Sequence, residues 1–259
     1  MRALRIARHS LRRPDELPDR ELTRSVEIDR GHLAAYDRVC GFRLRDELPA
    51  TYPHVLAFPL AMELLTGPFP FSPLGLVHVA NRIEVLRPLH AGERLDLRVW
   101  AADLRRHDRG TQFDVLAEAR VDGSVVWRDV SAYLHRESRG GGGRDGAEPP
   151  VASAVWRVPG DIGRRYAAVS GDSNPIHLRG LAAKALGQPG AIAHGMWTKA
   201  RCLAALEGSL PDAYAVEVRF KVPLRIPGRA AFSASGDRFE VWAGSKPHLE
   251  GTITPGRGR

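Results

Sequence analysis

The stretch YAAVSGDSNPIHL, Tyr166 to Leu178, sets a carboxylate and an imidazole, Asp172 and His177, in one short segment. Gly171, Asn174 and Pro175 disfavour regular helix between them, so the spacing predicts a rigid turn that aims both side chains into one cleft. Histidine titrates near neutrality, and a carboxylate beside it can orient it, share its proton or activate water. Such a pair suits a reaction that takes a proton from one atom and delivers one to another; the assignment of each proton stays open at this level. Downstream, GQPGAIAHGM, Gly187 to Met196, ends in His194 and Gly195. Met196, Ala200, Leu203 and Leu206 then follow at the spacing of a core-packed helix. A helix starting at this pair presents unpaired N–H groups and the positive end of its dipole, and glycine there lets a ligand carbonyl approach. One such donor, aimed at a developing oxyanion, is worth about 2.7–4 kcal/mol.

The neighbouring polar residues are expected to support this pair. Asn174 should brace the turn through its own backbone. Ser170 lies close but lacks the strand–turn–helix GxSxG setting of a hydrolase nucleophile, so turn or supporting duty is expected of it. His194 is read as a helix-start residue with a buried hydrogen bond, and Tyr166 as a packing residue. His78, His90 and His248 show no ligand-like grouping, and Cys40 and Cys202 form no CxxC or Cys/His spacing, so no metal site is expected.

The elements that must hold these residues form a weak internal repeat. Tyr36, Val39 and Gly41 in YDRVCG match Tyr166, Val169 and Gly171 in YAAVSG. HVLAFPLAMELLTG from His54 matches AIAHGMWTKARCLAALEG from Ala191, each an apolar, near-helical segment ending at glycine. Strand-like stretches follow in both halves, where alternating Ile83, Val85, Leu95, Leu97 and Val99 predict half-buried antiparallel strands around one long helix. In this alignment Phe42 and Glu47 stand opposite Asp172 and His177, and Phe58 and Pro59 opposite His194 and Gly195. Proline has no N–H to offer an oxyanion, so the first half is expected to lack a site of its own.

SGDSNPIH and the downstream AHGM resemble the hydratase motif of the MaoC-like family, the (R)-specific enoyl-CoA hydratases and (3R)-hydroxyacyl dehydratases, most closely the double-domain actinobacterial members. The resemblance implies an α+β double hot-dog fold, each half an antiparallel sheet wrapped around a central helix. It implies Asp172 and His177 as the catalytic pair and a Gly195 N–H on the thioester carbonyl. The implied reaction adds or removes water across trans-2-enoyl and (3R)-3-hydroxyacyl thioesters of coenzyme A or acyl carrier protein, with no metal, flavin or nicotinamide cofactor. One active site per chain follows, with the first half widening the acyl pocket. A hot-dog thioesterase and a catalytically silent acyl-thioester-binding module are the competing readings.

At 259 residues, with 43% hydrophobic and 26% charged residues, the chain has room for two soluble domains. The expected division is an N-terminal extension over 1–20, a degenerate half over 21–136, a Gly/Pro-rich linker over 137–153 and a catalytic half over 154–259. The net charge of +8 comes from scattered arginines, lysine occurring only at 184, 199, 221 and 246, so no basic stripe for nucleic acid is expected. No apolar run suits a signal peptide or a membrane span, and a cytoplasmic protein, free to pair as a homodimer, is expected.

Overall fold

The computed structural model describes residues 16–137, 148–178, 180 and 190–256. Strand β1 (Glu21–Glu27) leads into α1 (Arg30–Cys40), α2 (Tyr52–Thr66) and strands β2 (Leu76–Val85), β3 (Arg94–His107), β4 (Gly110–Val121) and β5 (Ser124–Arg136). The order then recurs as β6 (Ala154–Val158), α3 (Ile162–Ser170), a single turn α4 (Pro175–Leu178) and α5 (Gly195–Leu206). Strands β7 (Tyr214–Phe220), β8 (Gly228–Ser235), β9 (Arg238–Ala243) and β10 (Lys246–Pro255) complete it. Most of the Gly/Pro-rich segment, 138–147, and residues 1–15 of the N-terminal extension lie outside the described residues.

Local chemistry explains the repeated YxxVxG motif. In α1 the Asp29 carboxylate accepts from the N–H groups of Gly31 and His32, and the helix ends at Gly41 with φ of 85°. Helix α3 ends in the same way at Gly171, φ 76°. Left-handed backbone at the C-terminal cap is nearly free of strain for glycine alone, so both glycines are fixed by helix termination. The repeat's tyrosines face each other: Tyr36 and Tyr166 are buried, with ring centroids 6.3 Å apart, where α1 packs on α3.

The ten strands form one antiparallel sheet in the order β1-β3-β4-β5-β2-β7-β10-β9-β8-β6. Counted inward from either edge, the two halves have the same topology, and they meet where β2 pairs with β7 from Ala80↔Arg219 to Val85↔Tyr214. Helix α2 packs on β1, β3 and β4, and α5 reaches β10, giving each half a sheet with a central helix. This is the double hot-dog expected from the sequence. Alternation is strict where one strand face is buried: Leu95, Leu97 and Val99 are at most 1% exposed between exposed or half-exposed neighbours.

A buried polar network crosses the seam beneath α5. The Lys199 ammonium is fully buried and donates to the Val216 carbonyl at 3.1 Å and to the Asn81 side-chain oxygen. Asn81 donates in turn to Asp129 at 2.6 Å and Ser131 at 3.0 Å, and Asp129 pairs with His54. One lysine therefore ties α5 to a strand from each half.

Burial pulls the Lys199 pKa down to about 7, opposed by the nearby Asp129 charge. Below about pH 7 the lysine is protonated in both folded and unfolded chains; above it the unfolded chain retains a proton that the fold lacks, so stability should rise with pH. Urea midpoints measured from about pH 7 to about pH 8.5 should rise in the wild type, and Lys199→Met should remove that rise.

Candidate active site

Residues 171–174 form the predicted turn, and its polar groups satisfy one another. The Asp172 N–H donates to Ser170 Oγ at 3.2 Å, and the Asp172 carboxylate accepts from the Asn174 N–H at 3.2 Å. Asn174 Oδ1 then accepts from the Ile176 N–H at 3.3 Å, which starts α4. Ser170 and Asn174 thus brace the turn, while the Asp172 side chain remains 30% exposed.

His177 leaves α4 toward Ile192, whose carbonyl lies 2.9 Å from Nδ1. A carbonyl can only accept, so Nδ1 carries the hydrogen and Nε2 keeps its lone pair. The accepting strand is itself pinned: the Ala193 N–H donates to Leu224 O at 2.8 Å, and the Ile226 N–H to Ala191 O at 3.0 Å. Gly163 in α3 fixes the other side, because a Cβ there would collide with the His177 carbonyl. Neither Gly163 nor Ile192 stands out in the sequence as a site residue.

His194 is 2% exposed; its ring stacks on His177 with centroids 3.6 Å apart and meets Tyr166 in a tilted contact at 4.9 Å. Its Nε2 donates to the Asp172 carbonyl at 3.0 Å, and burial with the adjacent His177 pushes its pKa down to about 4. It is a neutral spacer that ties the turn to α5, in keeping with the buried hydrogen bond expected of it. Asp172, His177 and His194 offer ligand atoms within 4.8 Å of one another. One nitrogen of each ring bonds a carbonyl, which leaves His177 Nε2 and His194 Nδ1 free among the described residues.

Helix α5 starts at Gly195, with His194 as an extended N-cap (φ −67°, ψ 138°) that makes no side-chain capping bond. The first intrahelical bond runs from the Thr198 N–H to His194 O, so the earlier N–H groups have no acceptor in the helix. Gly195 is half-exposed between buried His194 and Met196, which makes its N–H the accessible donor. A Cβ at Gly195 would lie 2.9 Å from the Phe220 ring, so the missing side chain makes room for that ring.

The first half differs in kind. Phe42 stacks on Tyr36 at 6.3 Å, and Glu47 pairs with His90 in an isolated bridge. Helix α2 begins at Tyr52, leaving Phe58 and Pro59 in mid-helix where no free N-terminus exists.

Comparison with known proteins shows the family. The MaoC-like domain family matches residues 148–248, which contain the turn, His177 and the start of α5. A 3-hydroxyacyl-thioester dehydratase X of Mycobacterium tuberculosis is 39% identical over 255 residues, covering 93% of this chain and 91% of its own. The chain belongs to the MaoC-like family. The crystal structure of HtdX from M. tuberculosis superposes with a TM-score of 0.83 at 38% identity, covering 91% of this chain and all of that one. A MaoC-like dehydratase from Phytophthora capsici, 18% identical, shares the fold at a TM-score of 0.75 over 92% of this chain and 95% of its own.

Burial lowers the His177 pKa below the ordinary 6.5, and the Asp172 charge partly restores it. Histidine NMR titration should therefore place His177 below 6.5, and Asp172→Asn should move it lower still. Gly163→Ala should displace the His177 backbone and lower Tm by several degrees, as overpacking by about 1–3 kcal/mol does.

Proposed function

We propose that this chain is a hydro-lyase that reversibly hydrates trans-2-enoyl thioesters to (3R)-3-hydroxyacyl thioesters of coenzyme A or acyl carrier protein in fatty-acid metabolism. The observation that carries the reading is that Asp172 and His177 bring side-chain atoms within 4.8 Å of each other and of His194, the residue that precedes Gly195 at the start of α5. Dehydration breaks the Cα–H and Cβ–O bonds, and the β-hydroxyl leaves as water after gaining a proton. Asp172 and His177 exchange these protons, and hydration runs the same steps backwards. Charge that builds on the thioester oxygen meets the Gly195 N–H and the positive end of α5. The M. tuberculosis relative, named a 3-hydroxyacyl-thioester dehydratase, supports the same chemistry.

Residues 154–259 act as the catalytic half and 21–136 as a degenerate half that completes the fold and the acyl pocket, joined by the linker over 137–153. Two buried, unpaired cysteines, Cys40 and Cys202, suit a reducing cytoplasm. No described helix is long and apolar enough to cross a membrane.

The test is enoyl absorbance with trans-2-enoyl-CoA, with product configuration resolved. The wild type should give the 3R alcohol, and Asp172→Asn and His177→Gln should each lower kcat/KM by about 10²–10⁴. Thiol release that is insensitive to both substitutions would instead indicate a thioesterase, and absence of any turnover a binding module.

A further inference from the structure

The first half carries a second polar cluster, which the reaction above does not use. His54 from α2 and Asp129 from β5 form an ion pair, with the His54 side chain 13% and the Asp129 side chain 2% exposed. Both line a cavity of about 20 Å³ together with Ser131 and Tyr133, against a wall of alanines and valines from α2, β3 and β4. That volume holds about one water-sized group. Apart from the Asp129 bond at His54 Nδ1, neither the His54 ring nor the Tyr133 hydroxyl makes a hydrogen bond among the described residues. A buried carboxylate and imidazole beside apolar walls are costly unless their remaining polar capacity is met.

Ring contacts link the lining of the cavity to Gly195. The Phe220 ring fills the space beside Gly195, and His78 lies 4.9 Å from Phe220 and 4.7 Å from Tyr133, ring to ring. His78 is also 6.5 Å from His54, so one wall of rings runs from the oxyanion donor to the polar cluster. Burial and the nearby His54 push the His78 pKa down to about 3, which keeps this wall neutral.

We propose that the His54 ring and the Tyr133 hydroxyl form a specificity site for a hydroxyl carried on the acyl chain beyond its reacting carbons. A hydroxyl both donates and accepts, so it fits either protonation state of His54 and the Tyr133 oxygen, and its size matches the cavity. This inference rests on the proposed hydratase activity and names the acyl class that the same site prefers.

The test uses trans-2-enoyl-CoA thioesters of equal chain length, either unsubstituted or with one hydroxyl walked along the chain, scored by kcat/KM. One hydroxyl position should raise kcat/KM about tenfold over the unsubstituted chain, the scale of one buried hydrogen bond. His54→Leu should return that ratio to about 1, and so should Tyr133→Phe, which removes a single oxygen and leaves the ion pair intact. Hydration of all chains with no preference at any position, or a preference that survives both substitutions, overturns this inference alone. No hydration of any chain overturns the hydratase reading and this inference with it.

Discussion

The pairing of β2 with β7 is the constraint from which the rest of the structure follows. It turns two five-stranded halves into one sheet, and the shared topology then requires matching elements to meet near the seam. Tyr36 packs on Tyr166, α1 lies against α3, and Lys199 from α5 reaches the backbone of both seam strands. Neither half supplies this surrounding alone: Trp197 of α5 donates to the Val39 carbonyl of α1, and the Arg43 backbone N–H donates to the Glu207 carboxylate. The start of α5, and with it the Gly195 N–H, is positioned by contacts from both halves.

Around that fixed helix the site is built from restraints on the backbone. Ser170 and Asn174 hold the turn, Ile192 sets the His177 tautomer, and Gly163 permits the approach of α4 to α3. His194 links turn to helix through the Asp172 carbonyl while staying neutral. These restraints fix the backbone around Asp172 and His177, while His194 keeps a buried Nδ1 without a partner among the described residues; a rigid backbone limits reorganisation during proton transfer.

The parts legible in the sequence are those whose causes are local. Gly171, Asn174 and Pro175 specify a turn through their own backbone preferences, and Gly195 ahead of apolar residues at helical spacing marks the start of a buried helix. The paired YxxVxG motifs were readable because each encodes a helix end and its left-handed cap within a few residues. What stayed hidden depends on distant partners. Phe220 accounts for Gly195 across 25 residues of chain, and Gly163 is explained only by a carbonyl from α4. His54, Asn81, Asp129 and Lys199 come from α2, β2, β5 and α5, so no spacing rule joins them, and His78 carries no sequence signal of the rings that enclose it.

The proposed chemistry requires a single thioester gripped between the turn after α3 and the first N–H of α5. A crystal structure with a bound (3R)-3-hydroxyacyl-CoA tests it most directly. The account predicts the carbonyl oxygen about 2.7–3.1 Å from the Gly195 nitrogen, with the α-carbon and β-hydroxyl facing His177 and Asp172. A thioester carbonyl seated away from Gly195, with His177 and Asp172 clear of the reacting carbons, would contradict it.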